Sequence, residues 1–291
     1  MLMSCPKRLF AVLFALSVVQ LGLQAQGQHA AYATCTAESS DLNQAYRSMY
    51  NLDFSAAQHQ VQIWEQAHPT EPLGPVSEAA SYLFAELDRL GSLQSQLFVN
   101  DQHFESRKKL MPDSQTKSLF DAAINRATAL VAKKLASDPA SATAKLSETL
   151  AFGLEADYAA LIEKRDMQAL SYIKQGRRWA ESTLVSDSMC FDAYLALGVE
   201  NYLLGTKPAL VRTLLQLGGA HVDKQKGVDE LQITAEKGQL LKPFARLLLA
   251  VAALRDRDLL NAAKLLRDLK EEFPGNPLYA QELAKLEPWR S

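Results

Sequence analysis

Apolar residues recur every three or four positions along most of this chain, and that spacing predicts a succession of amphipathic helices. No segment alternates apolar and polar residues with a period of two between turn signals, so no strand is predicted. The predicted fold class is therefore all-α. We expect about twelve helices, near residues 39–51, 54–67, 75–90, 114–137, 141–164, 166–186, 190–204, 208–217, 223–237, 240–255, 258–273 and 277–286.

Residues that favour helix ends delimit these segments. Side-chain oxygens that can accept the free amides of a first turn predict N-caps at Asp53, Ser114, Asp166, Asp223 and Asp258. Glycines are expected where helices stop, at Gly74, Gly91, Gly205 and Gly238. The stretch from Gly91 to Asp113 is the least periodic and predicts a long connection. Gly218-Gly219, followed by Lys224 to Gly227, predicts a tight crossing between helices.

One spacing recurs along the chain: alanine, an aliphatic residue four positions later, and proline eight positions after that. The three copies are Ala57, Val61, Pro69; Ala127, Val131, Pro139; and Ala262, Leu266, Pro274, with a degenerate copy at Gly176, Ala180, Ser188. A small residue lets the second helix of a hairpin approach the first closely, and the aliphatic residue fills the remaining gap. Because proline cannot continue a helix, it marks the turn into the next hairpin.

First helices that match these second helices can also be found. Tyr194 to Gly198 reads as an aromatic residue followed by Leu-Gly, and Leu249-Ala250 lies upstream of Ala262. With these motifs the chain resembles the tetratricopeptide-repeat (TPR) superfamily over most of residues 40–287. The tyrosine expected later in each unit is replaced, by Asn201 and Ala253. The resemblance implies antiparallel helical hairpins stacked as an irregular solenoid, whose concave face binds peptide segments or protein partners.

The N-terminal residues have the pattern of an export signal. Lys7 and Arg8 precede an apolar stretch from Leu9 to Leu23, and Leu23-Gln24-Ala25 resembles a cleavage site. The apolar stretch is shorter than the roughly 20 residues of a membrane-spanning helix, although an uncleaved anchor is the alternative. We expect a signal peptide at 1–25, a flexible tail at 26–38 and a TPR-like α-solenoid at 39–291. The mature protein should be periplasmic or secreted, with no further membrane span.

Charge and cysteine content narrow the choice of partner and compartment. The chain has 31 basic and 33 acidic residues, a balance that offers no general attraction to nucleic acid or to an anionic membrane. Cys5 would leave with the signal peptide, while Cys35 and Cys190 would remain in a compartment that permits disulfides. The 155 positions between them leave open whether they pair.

No catalytic, metal-binding or cofactor-binding motif is found in the sequence. The histidines form neither an HExxH motif nor a cluster with cysteine, and no nucleophile elbow, phosphate-binding loop or dinucleotide fingerprint occurs. We therefore predict a non-enzymatic protein without a cofactor. The leading hypothesis is an exported scaffold that binds a protein or peptide partner, with envelope assembly or secretion as its setting. The alternative is an enzyme or ligand-binding accessory protein of the cell envelope, built on the same helices.

Three aromatic residues are candidates for contact with that partner. Tyr158 and Tyr202 lie on predicted first helices, which face inward in TPR-like arrays, and Trp179 lies on a second helix. Tyrosine and tryptophan are enriched at binding hot spots. The competing interpretation is that these rings fill gaps in the core.

Overall fold

The computed structural model describes Cys35 and residues 42–93, 105–206 and 223–286. All described residues belong to one compact unit, Ala33–Ser291. The predicted signal peptide, nearly all of the predicted tail and the helix predicted at 208–217 lie outside the described residues. Eleven α-helices are described: α1 Leu42–Tyr50, α2 Phe54–Ala67, α3 Leu73–Arg89, α4 Ser114–Ser137, α5 Ala142–Asp157, α6 Asp166–Ser186, α7 Tyr194–Gly205, α8 Lys224–Lys237, α9 Lys242–Arg255, α10 Leu259–Glu272 and α11 Pro277–Leu286.

The all-α prediction is confirmed, since residues 42–93, 105–206 and 223–286 contain no strand. Each helix packs against the next one in chain order. Contacts also join α1 to α3, α3 to α5, and α5 to α7. The main apolar core includes residues of every helix from α1 to α9 except α6. These contacts define an all-α helical repeat fold, an irregular stack of antiparallel hairpins.

The small residues of the recurring spacing lie where helices meet. Ala57, Ala127 and Ala262 are fully shielded from solvent, and Gly176, the small residue of the degenerate copy, is also buried. In all four copies the helix ends two residues before the proline or serine: α2 at Ala67, α4 at Ser137, α6 at Ser186 and α10 at Glu272. The recurring spacing therefore predicted both a buried contact and a helix end.

Some predicted helix ends were wrong. Gly74 does not stop a helix, because it lies in the first turn of α3 with the Trp64 ring close against it. Asp113 caps α4 in place of Ser114, and Arg165 precedes α6 in place of Asp166. Asp53, Asp223 and Asp258 are N-caps as predicted.

The helix predicted at 141–164 is also shorter than expected. Helix α5 ends at Asp157 and continues as a π-helical turn, Tyr158–Ile162. Arg107 donates to the Ala160 carbonyl and pairs with Asp166, so the turn is held from outside. The apolar spacing continued through this turn, and it gave no sign that the hydrogen-bond pattern changes.

A disulfide joins Cys35 to Cys190, with 5.2 Å between their Cα atoms. Cys190 precedes a short 3₁₀ turn, Phe191–Ala193, that leads into α7. Both cysteines are buried beside Leu146 and Leu197. The question that the sequence left open is thereby answered, and a residue before α1 is tied to the middle of the helical stack.

Candidate functional site

A cleft of about 350 Å³ opens where α1 meets the start of α9 and the end of α10. It therefore lies between the first described helix and the hairpin α9–α10, which are about two hundred residues apart along the chain. The lining residues are Asn43, Tyr46, Arg47, Tyr50, Gln239, Leu240, Lys242, Pro243, Glu272 and Phe273. Its volume is near the lower end of the range of ligand pockets, roughly 300–1,000 Å³.

The floor of the cleft is aromatic. Tyr46 and Phe273 are buried, and the Tyr50 and Phe273 ring centroids lie 5.2 Å apart. Tyr50 donates its hydroxyl hydrogen to the Leu240 carbonyl at 2.8 Å. Burial raises the pKa of Tyr46 to about 12 and the pKa of Tyr50 well above its ordinary value. Both phenols therefore stay neutral and contribute packing surface.

The rim of the cleft is charged. The Arg47 guanidinium lies 5.3 Å above the Phe273 ring and 3.5 Å from Glu272 Oε1. Glu272 has a closer partner in Arg246, at 2.8 Å from its other carboxylate oxygen. Lys242 donates to the backbone carbonyl of Glu236 at 2.9 Å. The rim thus presents two cations and one carboxylate. That carboxylate already pairs with Arg246, which does not line the cleft.

Hydrogen bonds tie the two sides of the cleft together. The Gly275 amide donates to Asn51 Oδ1 at 2.9 Å, and Asn276 Nδ2 donates to the Tyr50 carbonyl at 3.0 Å. These bonds hold the end of α1 against the turn that follows α10. The walls of the cleft are therefore joined directly, not only through the rest of the stack.

A buried carboxylate, Asp192, positions the start of α9. Its oxygens accept hydrogen bonds from the amides of Gln239, Leu240 and Leu241, at 3.0 to 3.2 Å. Burial raises the pKa of Asp192, while the three amides act in the opposite direction. Sequence reasoning missed Asp192 because its partners are nearly fifty residues away and no local motif marks the contact.

The three aromatic candidates from the sequence do not meet in this cleft. Tyr158 is 5% exposed and stacks on Phe120, with 5.0 Å between ring centroids. Tyr202 is 6% exposed and lies against α8. Trp179 is half-buried on α6. The burial of the two tyrosines favours the competing interpretation, that they fill the core.

Cleft residues such as Arg47 and Glu272 were not among the candidates. Only their helices were predicted, because a periodic pattern places a residue on a helix face without telling which distant helix lies opposite. Lys242 and Pro243 at the start of a predicted helix were the nearest available signal, and they are not specific.

An unusual carboxyl lies at the end of α5. Burial raises the pKa of Asp157 from 3.8 to about 7. Because its pKa is near 7, this carboxyl would exchange a proton near neutral pH. Asp157 directly precedes the π-helical turn, and Gly153, one turn earlier, is exposed with open space where a Cβ would lie.

Within the described ranges, no group of three or more His, Cys, Asp or Glu side chains could hold a metal ion. None of the helices described there combines the length and the apolar character needed to cross a membrane. Comparison with known protein families, with characterised proteins and with solved structures finds no match.

Proposed function

We propose that this protein is an exported helical-repeat scaffold that binds a segment of a protein partner in the cleft between α1 and α9–α10. The observation that carries the proposal is the cleft itself, with its largely buried aromatic floor and its charged rim. Binding pockets commonly combine an apolar floor with a few polar groups that orient the ligand. The protein acts in this proposal by holding its partner, not by catalysis.

Two observations support export. The basic and apolar pattern before Gln26 is that of a secretory signal. The Cys35–Cys190 disulfide is typical of proteins that mature in an oxidising compartment, because cytosolic thiols are kept reduced. Both observations support a periplasmic or secreted location.

The stacked hairpins support the scaffold part of the proposal. Proteins built from such hairpins generally act through extended binding surfaces. The burial of Ala57, Ala127 and Ala262 agrees with their proposed role as the small packing residues of TPR-like units. Membership of the TPR superfamily is part of what we propose.

Affinity capture from a periplasmic or culture extract tests the proposal. The wild-type chain should retain one protein in stoichiometric amount, and the variant Lys242→Glu should lose it. Lys133→Glu is the matched control, since Lys133 is exposed on α4 and does not line the cleft. Retention of the same protein by Lys242→Glu would argue against the cleft. A small molecule that co-purifies in its place would favour the alternative, a ligand-binding accessory protein.

N-terminal sequencing of the native protein tests the export step separately. We expect the mature chain to begin near Gln26, outside the cytoplasm. An intact Met1 in a membrane fraction would show an uncleaved anchor.

A further inference from the structure

We infer that the cleft recognises a carboxylate: its ligand is a short peptide segment whose acidic side chain pairs with Arg47 and Lys242. This inference rests on the proposed function and adds the chemical class of the ligand. It is carried by the charges of the rim, the geometry of Arg47 and the size of the cleft.

The positive charge of the rim is not balanced among the residues that line the cleft. Glu272 is the one carboxylate among the lining residues, and it lies closer to Arg246 than to Arg47, at 2.8 and 3.5 Å. The bond from Lys242 goes to a backbone carbonyl, which carries no net charge. Arg47 and Lys242 together therefore leave a positive charge at the mouth of the cleft, which favours an anionic group in the ligand.

The Arg47 side chain is held in place, and its guanidinium keeps hydrogen-bond donors for a ligand. The Phe273 ring beneath its guanidinium restricts the side chain, and its hydrogen bonds to Glu272, at 3.4 and 3.5 Å, are long. The side chain is 50% exposed. A guanidinium has five N–H donors in a planar fork that suits a carboxylate, so donors remain for a ligand. An arginine held over an aromatic ring loses less conformational freedom when it binds.

The anion site is made of side chains and not of the backbone amides that lead into α9. The amides of Gln239, Leu240 and Leu241 already donate to Asp192, so they are not available to a ligand. Asp192, which is 3% exposed, also places a carboxylate close enough to Tyr46 and Tyr50 to help raise the pKa of both phenols. The ligand carboxylate should therefore stay at the rim, beside the two cations, while its apolar neighbour occupies the floor.

The size of the cleft sets the length of the segment. A volume of about 350 Å³ is too small for a docked helix, and it suits a few residues of extended peptide. An acidic residue next to an apolar or aromatic one satisfies both the rim and the floor.

Selection from a library of random displayed peptides tests the inference. With the oxidised full chain as bait, selected peptides should be enriched in Asp or Glu next to an apolar residue. The affinity of such a peptide should fall about fivefold in Lys242→Gln, the loss of one partly exposed ion pair, and more in the double variant with Arg47→Gln. Lys133→Gln removes the same charge elsewhere and should leave the affinity unchanged. Unchanged melting temperatures would show that each variant is folded.

Other results separate the two proposals. Peptides that are selected without acidic residues, or that bind Lys242→Gln and the double variant as tightly as wild type, would overturn the carboxylate inference but not peptide binding. A library that yields no binding peptide would count against both. Amidation of the selected peptide tests whether its C-terminal carboxylate is bound in place of an acidic side chain. Loss of binding on amidation would show that the cleft recognises a chain terminus.

Discussion

The hairpins α7–α8 and α9–α10 bring their helices together through different small residues. In α7–α8 the contact is glycine on glycine: a Cβ on Gly198 would lie 3.0 Å from the Gly227 carbonyl oxygen, and one on Gly227 would lie 2.8 Å from Tyr202 Cα. In α9–α10 the small buried residues are alanines, and Ala250 and Ala262 are almost completely shielded from solvent. The first pair of backbones approaches too closely for any side chain, whereas the second has room for a methyl group.

This difference matters for how each hairpin tolerates change. A backbone atom cannot move away from a new side chain without moving its helix, whereas side chains around an alanine can shift partly. The α7–α8 contact should therefore be the less tolerant of the two.

The largest effect is expected for Gly227→Val. The new side chain would overlap the backbone of Tyr202, so the two helices would have to separate. We expect a loss of about 3 kcal/mol or more in the free energy of unfolding, measured by urea denaturation. Gly153→Ala is the control, because nothing lies within 4 Å of its Cβ position. In mid-helix it should stabilise by about 0.5–1 kcal/mol. A Gly227→Val protein as stable as wild type would contradict the close contact.

Removal of the disulfide should come next. Cys190 lies just before α7, and no such cross-link joins α9 to α10 in the residues described. The double variant Cys35→Ser, Cys190→Ser should lose about 2–4 kcal/mol, because its unfolded chain gains freedom. Hydrogen exchange should show the largest increase in α5 to α7 and the smallest in α10. Equal increases in both hairpins would mean that the disulfide stabilises the whole stack uniformly.

Ala262→Leu tests the looser contact. The larger side chain should overpack the α9–α10 interface and cost about 1–3 kcal/mol. Lys264→Leu introduces the same side chain on the exposed face of α10 and should be nearly neutral. A melting temperature that Ala262→Leu leaves unchanged would contradict the assignment of Ala262 as a packing residue.

The two hairpins also show what could be predicted from the sequence. Ala262 and the end of α10 followed from a spacing that repeats, because local rules determine both a small contact residue and a helix stop. Gly198 was recognised as part of a repeat motif, and Gly227 lay in a predicted tight crossing. The closeness of their contact was not predictable, since it depends on how two backbones meet.

Long-range contacts account for what the sequence did not reveal. The cleft brings together Arg47 and Glu272, which are separated by 225 positions. Asp192 accepts a hydrogen bond from the amide of Leu241, just before α9. Periodicity assigns such residues to helices and faces, but a single sequence contains no signal for the partner helix. Among the predicted aromatic candidates, the two tyrosines proved to be buried, which periodicity alone could not decide.

The smallest effect concerns Asp157, and it should depend on pH. Its folded pKa of about 7 lies above the ordinary 3.8, since burial disfavours the ionised form. The stability linked to its neutral form is therefore fully present below about pH 3.8 and is lost as the pH rises through 7. An asparagine side chain cannot ionise, so Asp157→Asn should be more stable than wild type at about pH 8 and equal to it near pH 4.

The expected gain at about pH 8 is roughly 1–2 kcal/mol, because the carboxyl keeps some contact with water and the full pKa difference overstates the cost. Urea denaturation of both proteins across this pH range gives the difference directly. Helix α5 packs against α7, so hydrogen exchange in α7 should follow the titration more closely than exchange in α10. A constant difference at all pH values would show that the substitution acts through packing, and a loss of stability at about pH 8 would show that the ionised carboxylate has a favourable partner.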